Sequence, residues 1–384
     1  MRSALLILIS SLFVLPLQAE DNWFKSNAHL ELSVSAGDDG IGFEAGLPLG
    51  QMLRVRTGYS FMPHLKVPAT FGVQVGEKKE DRYDGNGNRL ETRFDKLSKM
   101  LYDFTGYNVD DRVDMIITPT YKNFKFLIDV FPFKDKNWYV TAGFYAGPSR
   151  FARADNSVID APTLIAAGMY NNMYINCYYQ EPIMFGVELT PEYRNKILNW
   201  GRMGMHVGDF KGQYREDGSP VPFILEPDVD GMVHVEMKVN RFKPYVGFGY
   251  GRTIDKASKW RVSGDCGVLF WGGTPNLYSN SSSVVNEDGA PVYTIDGTTP
   301  LSQDEYWAWT DPDLEYEDFE DFPMLQSFLD QGIEQGSQIE RMKHRVNLTK
   351  DVEHIGGKPG RYVNLCSMLK VMPVLNFRIT YTIF

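Results

Sequence analysis

Beyond its N-terminal segment the sequence has no apolar run of roughly eighteen residues, which excludes ordinary transmembrane helices. Cysteine is scarce. Three residues, Cys177, Cys266 and Cys366, do not make the framework that staples a small secreted domain. Cys266 falls in an alternating segment and reads as a small apolar strand residue, whereas Cys177 and Cys366 lie in or beside long loops and are one candidate pair in an oxidising compartment. Clustered base is also missing: Lys and Arg total 39 against 49 Asp and Glu, a net charge of −10. No nucleic-acid partner is expected, because phosphate neutralisation needs concentrated Lys and Arg. The six histidines, His29, His64, His206, His234, His344 and His354, show no metal-ligand spacing, and neither H-E-x-x-H nor G-x-S-x-G occurs. The expectation is a protein without a cofactor and without enzymatic chemistry.

The first nineteen residues read as an export signal. Arg2 supplies the positive end, residues 4–14 the apolar stretch, and Leu17-Gln18-Ala19 the cleavage site before Glu20. An exported chain without a second hydrophobic helix is periplasmic, extracellular or a barrel. Aromatics make up 14% of the chain and Gly contributes 35 residues, yet the mean hydropathy is −0.30. That combination fits walls in which lipid-facing and lumen-facing residues alternate.

Period-two segments with turns between them dominate the chain. Residues 29–36 put Leu30, Leu32 and Val34 on one face, and 41–47 return after Asp38-Asp39-Gly40. Residues 53–61 set Leu53, Val55, Thr57, Tyr59 and Phe61 against Arg54, Arg56, Gly58 and Ser60. Residues 113–133 read as one long strand with a parity slip near Pro119, followed by 138–147; 232–252 read as another, interrupted at Pro244, followed by 259–271. Residues 369–384 close the series with Leu375, Phe377, Ile379, Tyr381 and Ile383 on one face.

This pattern predicts an all-β fold, a transmembrane antiparallel up-and-down barrel of about eight strands. Segments 183–189 and 202–207 also alternate, and would raise the count to ten or form a ridge above the membrane. The short turns at Pro48, Lys134 and Thr253 separate cleanly from three long loops, 62–112, 148–231 and 272–368. Starting in the periplasm places all three loops outside, the asymmetry that outer-membrane barrels show. Trp138 and Trp260 each open a strand where interfacial aromatics belong. The expected location is the outer membrane of a Gram-negative cell, with its lipid and lipopolysaccharide as neighbours. The barrel-assembly machinery would meet the terminal Phe384.

Several stretches resemble an uncharacterised family of small outer-membrane proteins related in architecture to OmpA-, OmpX- and OmpW-like barrels. They are Phe126-Leu-Ile-Asp-Val-Phe-Pro-Phe133, Thr141-Ala-Gly-Phe-Tyr145, and residues 243–251, 267–272 and 373–381. The resemblance covers the wall and little of the loops; it implies an eight-stranded barrel and carries no activity. Two departures stand out: Tyr381 and Phe384 are out of phase, and the loops are much longer.

Alternation turns Arg54, Arg56, Asp129, Arg261, Asp265 and Arg378 inward, with Glu236 joining them. A charge facing hydrocarbon costs about 2–4 kcal/mol at the midplane. An eight-stranded interior is just wide enough for side chains to fill, so these charges are expected to pair and leave no water path. Asp84, Asn86 and Asn88 with Asp95 match calcium-loop positions one, three, five and twelve, but Arg89 stands where that loop needs Gly; Asn-Gly and Asp-Gly are also common hairpin turns. The acidic, aromatic stretch 304–322 carries Tyr306, Trp307, Trp309 and Tyr316; its tryptophans and carboxylates either stack sugar rings or hold divalent cations, or the stretch is a solvated, partly disordered loop. A short helix is expected within 327–345, and the basic stretch 341–361 either folds back on the acidic one or faces lipopolysaccharide phosphates. Gly247, Gly249 and Gly251 lie inside a strand with no helix after it, so they relieve crowding rather than bind nucleotide. The leading expectation is a non-enzymatic surface barrel whose loops bind an extracellular glycan or protein, since loops on rigid scaffolds carry recognition. A small-solute channel is the competing class, and an outer-membrane enzyme the third.

Overall fold

The computed structural model describes residues 29–50, 52–76, 81–134, 136–183, 188–227, 231–255, 258–286 and 290–383. The segment read as an export signal, Phe384 and part of segment 183–189 lie outside them.

Eight strands close into one antiparallel barrel: β1 (Glu31–Gly37), β2 (Gly40–Leu49), β3 (Leu53–Phe61), β7 (Lys122–Val130), β8 (Trp138–Ala146), β13 (Phe242–Thr253), β14 (Trp260–Phe270) and β20 (Val371–Thr382). Each pairs with its neighbour along the chain, and β1 pairs with β20 to seal the ring. Closure satisfies every strand edge internally, which a sheet immersed in lipid requires. The outer surface is apolar: Leu32, Val34, Phe43, Tyr59, Val140, Val246, Phe248, Phe377 and Ile379 are all exposed. Such a continuous belt on a soluble protein would mark an interaction surface; on a closed barrel with a charged interior it is the lipid face. Trp138 against Tyr250 (4.9 Å between rings) and Trp260 against Tyr381 (4.8 Å) girdle the short-turn end. Phe144 against Phe242 (4.9 Å) marks the other. The barrel is therefore a transmembrane one.

Inside, large and small side chains interlock. A Cβ on Gly249 would lie 2.3 Å from the Tyr139 ring, and one on Gly247 would lie 2.5 Å from the Tyr245 hydroxyl. The glycine run makes room for two tyrosines.

The long connections are folded. β4 (Val67–Gly72), β6 (Arg112–Pro119), β9 (Arg150–Asn156), β12 (His234–Lys238), β15 (Asn276–Ser283) and β18 (Lys343–Asn347) form a six-stranded sheet in the order β4-β6-β9-β12-β15-β18. This repeats the order of the barrel strands β3-β7-β8-β13-β14-β20. Five of the eight wall strands (β3, β7, β8, β13 and β14) thus lead by short connections into a strand above the rim, whereas residues 348–370 separate β18 from β20. That continuity corrects the sequence reading of 113–133 and 232–252 as single strands. The first breaks at Thr120 and Tyr121, and the second at 239–241 rather than at Pro244, which sits within β13.

Behind the sheet pack β5 (Gln74–Val75), β10 (Met203–Tyr214), β11 (Pro220–Leu225) and β19 (Val352–Glu353), with a small ladder of β16 (Tyr293–Thr294) and β17 (Glu340–Arg341). Helices α1 (Arg93–Thr105), α2 (Ala161–Tyr178), α3 (Pro191–Trp200), α4 (Gln303–Thr310), α5 (Pro323–Asp330) and α6 (Gly357–Met368) complete the cap. Segment 202–207 therefore belongs to β10 in the cap and adds no wall strand. The largest apolar core lies here and draws on all three insertions. Leu97 and Val113 come from the first, Leu164, Met203 and Phe223 from the second, and Leu277 and Val346 from the third. At α2 and β10, Asn171 accepts from the Met203 amide and donates to its carbonyl, both at 2.8 Å, so both backbone groups of buried Met203 are paired.

Candidate functional site

Inward residues of β1, β2, β3, β7, β8, β14 and β20 meet in the lumen. Arg54 Nε donates to Asp129 at 2.7 Å, and its Nη1 lies 3.3 Å from Glu31. Arg56 reaches Asp129 at 2.8 Å, Glu44 at 2.8 Å and Asp265 at 3.5 Å. Arg378 contacts Glu44 at 3.3 Å and Asp265 at 3.2 Å, and Tyr139 donates to Asp265 at 2.8 Å. Lys125 lies 2.5 Å from Asp39. Asp129 is fully buried and also accepts from Thr141 at 2.7 Å. Arg261, nearer the short-turn end, donates to the carbonyls of Lys136 (2.6 Å) and Gly251 (3.0 Å).

Burial in a narrow lumen forces this pairing: desolvating a charge is affordable only when an opposite charge and hydrogen bonds replace the water. Beside the ion network Leu127, Tyr145, Val239, Tyr245, Leu269, Trp271 and Val374 pack as an apolar cluster, with Leu127 between Lys125 and Asp129 on β7. The structure thus brings together Arg54, Arg56, Asp129, Asp265 and Arg378, and adds Glu31, Asp39, Glu44, Lys125 and Tyr139. Parity held the signal for several of these, since Lys125 is in phase with Asp129, and Glu44 stands between the inward Gly42 and Gly46.

Glu236 is a correction. It sits on β12, outside the lumen, where it meets Arg345 (2.6 Å), Lys238 (3.3 Å) and Arg150 (3.4 Å) on the outer face of the cap sheet. Burial pushes its carboxyl up, but hydrogen bonds and charge from Arg345 and Lys238 outweigh that and hold it down at about 2. Glu236 is out of phase with the inward Lys243, Tyr245 and Gly247 of β13, so alternation along an unbroken strand does not turn it into the lumen.

The other candidates resolve into structure. Asp84 accepts from the Asn86 amide (2.9 Å) and from Asn88 through both its amide (2.8 Å) and side chain (2.9 Å), within a turn closed by the Tyr83–Arg89 bridge. Asp95 is the capping-box partner of Thr92 at the start of α1 and also holds Arg89 at 2.6 Å. Among the described residues no group of three or more His, Cys, Asp or Glu is arranged to hold a metal ion. The stretch 304–322 is not a disordered loop. Tyr306 and Trp309 are buried on α4, with Trp309 at the centre of a core that includes Leu301, Phe319, Leu325 and Phe328. Trp309 donates to the Ser337 carbonyl (3.1 Å) and Trp307 to that of Tyr179 (2.9 Å). Tyr316 stays half-exposed and donates to Asp330 at 2.7 Å. The helix expected within 327–345 instead spans Pro323–Asp330, and the basic stretch after it contributes β17 and β18. Cys177, Cys266 and Cys366 are free thiols.

No family model matches the chain, and no curated protein matches it. Among solved structures the chain is similar to the crystal structure of Acinetobacter baumannii CarO, at 10% identity and a TM-score of 0.33, covering 92% of this chain and 98% of that one. It is also similar to that of Acinetobacter baumannii CarO2 (11%, TM-score 0.30, 93% and 98%). A third is a major outer membrane protein from Thermus thermophilus (10%, TM-score 0.22, 93% and 99%). Likeness at this level carries no argument about activity.

Proposed function

We propose that the chain is a non-conducting barrel of the Gram-negative outer membrane, whose extracellular cap recognises a surface glycan or protein. One observation carries this reading: the three insertions share a single hydrophobic core and stand on strands that continue the wall. A pre-organised body loses little conformational freedom on binding, whereas independent floppy loops would have to be ordered by their ligand. The paired charges and the apolar cluster packed beside them in the lumen favour an anchor over a channel. In planar bilayers the purified protein is expected to give no conductance steps, and reproducible ion-selective steps would overturn the anchor. Nanodisc-embedded protein on arrays of surface glycans and proteins should bind a defined ligand, and should lose it when Leu97→Ala opens the shared core of the cap. Retention of the same ligand by that variant with its cap unfolded would sink the recognition role.

A further inference from the structure

At the rim between β8 and β13 the outer surface changes character within two residues. Phe144 and Phe242 face outward as the last aromatic rings of the lipid belt. Immediately above them an opening of about 520 Å³ is bounded by the 147–149 turn on one side and by Arg150, Lys238, Arg241 and Glu236 on the other. Its backbone is preformed: the Gly147 amide donates to the Arg241 carbonyl at 3.0 Å, and the Val239 amide to that of Ser149 at 2.8 Å. Glu236 is the carboxylate of the notch, and it is shared among Arg150, Lys238 and Arg345. Arg241 is exposed and has no carboxylate partner among the described residues. Three cations therefore share one acid and a fourth, Arg241, lines the same opening, in a chain whose net charge is −10.

We infer that this notch binds the phosphate of an anionic, phosphorylated glycolipid headgroup, and not a zwitterionic lipid whose phosphate is offset by its own cation. Its height carries the identification. The strands that present Phe144 and Phe242 to acyl chains rise directly into Arg150 and Arg241, so a lipid lying on the belt brings its headgroup to the cations. Guanidinium groups bind phosphate oxygens bidentately, and a site at the edge of low-dielectric lipid is less screened than open surface charge. Glu236 holds Arg345 and Lys238 in place and leaves Arg241 and part of Arg150 for the ligand. The inference rests on the outer-membrane placement proposed above, where phosphorylated glycolipid is the adjoining lipid.

The test uses full-length protein released from detergent in native mass spectrometry, offered lipid A, phosphatidylcholine or inorganic phosphate. Wild type is expected to retain lipid A, and the double variant Arg150→Gln/Arg241→Gln to lose on the order of tenfold in retention, with heat-modified gel mobility confirming that it still folds. Lys211→Gln, a charge on the far hairpin of the cap, should bind as wild type does. Phosphatidylcholine and inorganic phosphate should not be retained. Equal retention of lipid A by wild type and the double variant, or equal retention of phosphatidylcholine, would overturn the site. Retention of inorganic phosphate as strong as that of lipid A would also overturn it, by showing a free-anion site. A conducting wild type would instead remove the anchor reading and leave lipid retention unchanged, so the two failures are separate.

Discussion

Asp129 shows how much of the barrel's stability hangs on single lumen residues. It is fully buried and receives Arg54, Arg56 and Thr141. Removing one partner from such a network strands the remaining charges without water, and costs about 3–5 kcal/mol. Asp129→Ala is therefore expected to lower the unfolding free energy in lipid vesicles by that amount, measured by urea titration. Asp129→Asn keeps the shape but not the charge, and should lose nearly as much. A loss below about 1 kcal/mol in both, the range of exposed ion pairs, would show that water reaches the network. These inward charges were legible in the sequence because one lipid-facing side makes the alternation strict. Trp309 was not legible. An aromatic among acids looks like solvated loop by composition, and only contacts with residues as distant as Leu325 and Phe328 make it a core residue.

At the scale of elements, strand periodicity carried the wall and failed at the rim. β6 with β7, and β12 with β13, alternate on both sides of their break, because each faces a packed interior below and above the membrane. The pattern therefore reads as one strand. The cap's helices carry local marks, such as the Thr92–Asp95 capping box of α1, but nothing local shows that three insertions share a core. A folded cap also changes which segments proteases reach. Cleavage needs exposed backbone that opens at little cost, and the far hairpin of β10 and β11, with exposed residues 211–214 and a turn at 215–219, meets that requirement. Trypsin added to intact cells should cut first at Lys211 or Arg215, while Lys134 and Lys136 in the opposite turn survive until the outer membrane is permeabilised. Cutting at Lys134 or Lys136 in intact cells, with the far hairpin spared, would reverse the orientation.

Taken as a whole, the molecule joins two bodies with different reasons to be stable. The barrel cannot open locally in lipid without exposing backbone N–H and C=O groups to hydrocarbon, at several kcal/mol for each. The cap stands in water and rests on ordinary apolar packing, so it should unfold first and as a unit. Leu97 tests this, because it belongs to the first insertion, is fully buried, and shares its core with Leu164 of the second and Val346 of the third. Leu97→Ala should cost about 2–5 kcal/mol. If the core is one cooperative body, that loss appears in all three insertions. Hydrogen exchange should then accelerate together at the amides of α1, α2 and β18, while Val140 and Phe248 on the wall keep their protection. Exchange confined to α1 would mean that each insertion stands alone on its own pair of strands. The cap would then be a set of separate loops, and the recognition role would lose the rigid body on which it depends.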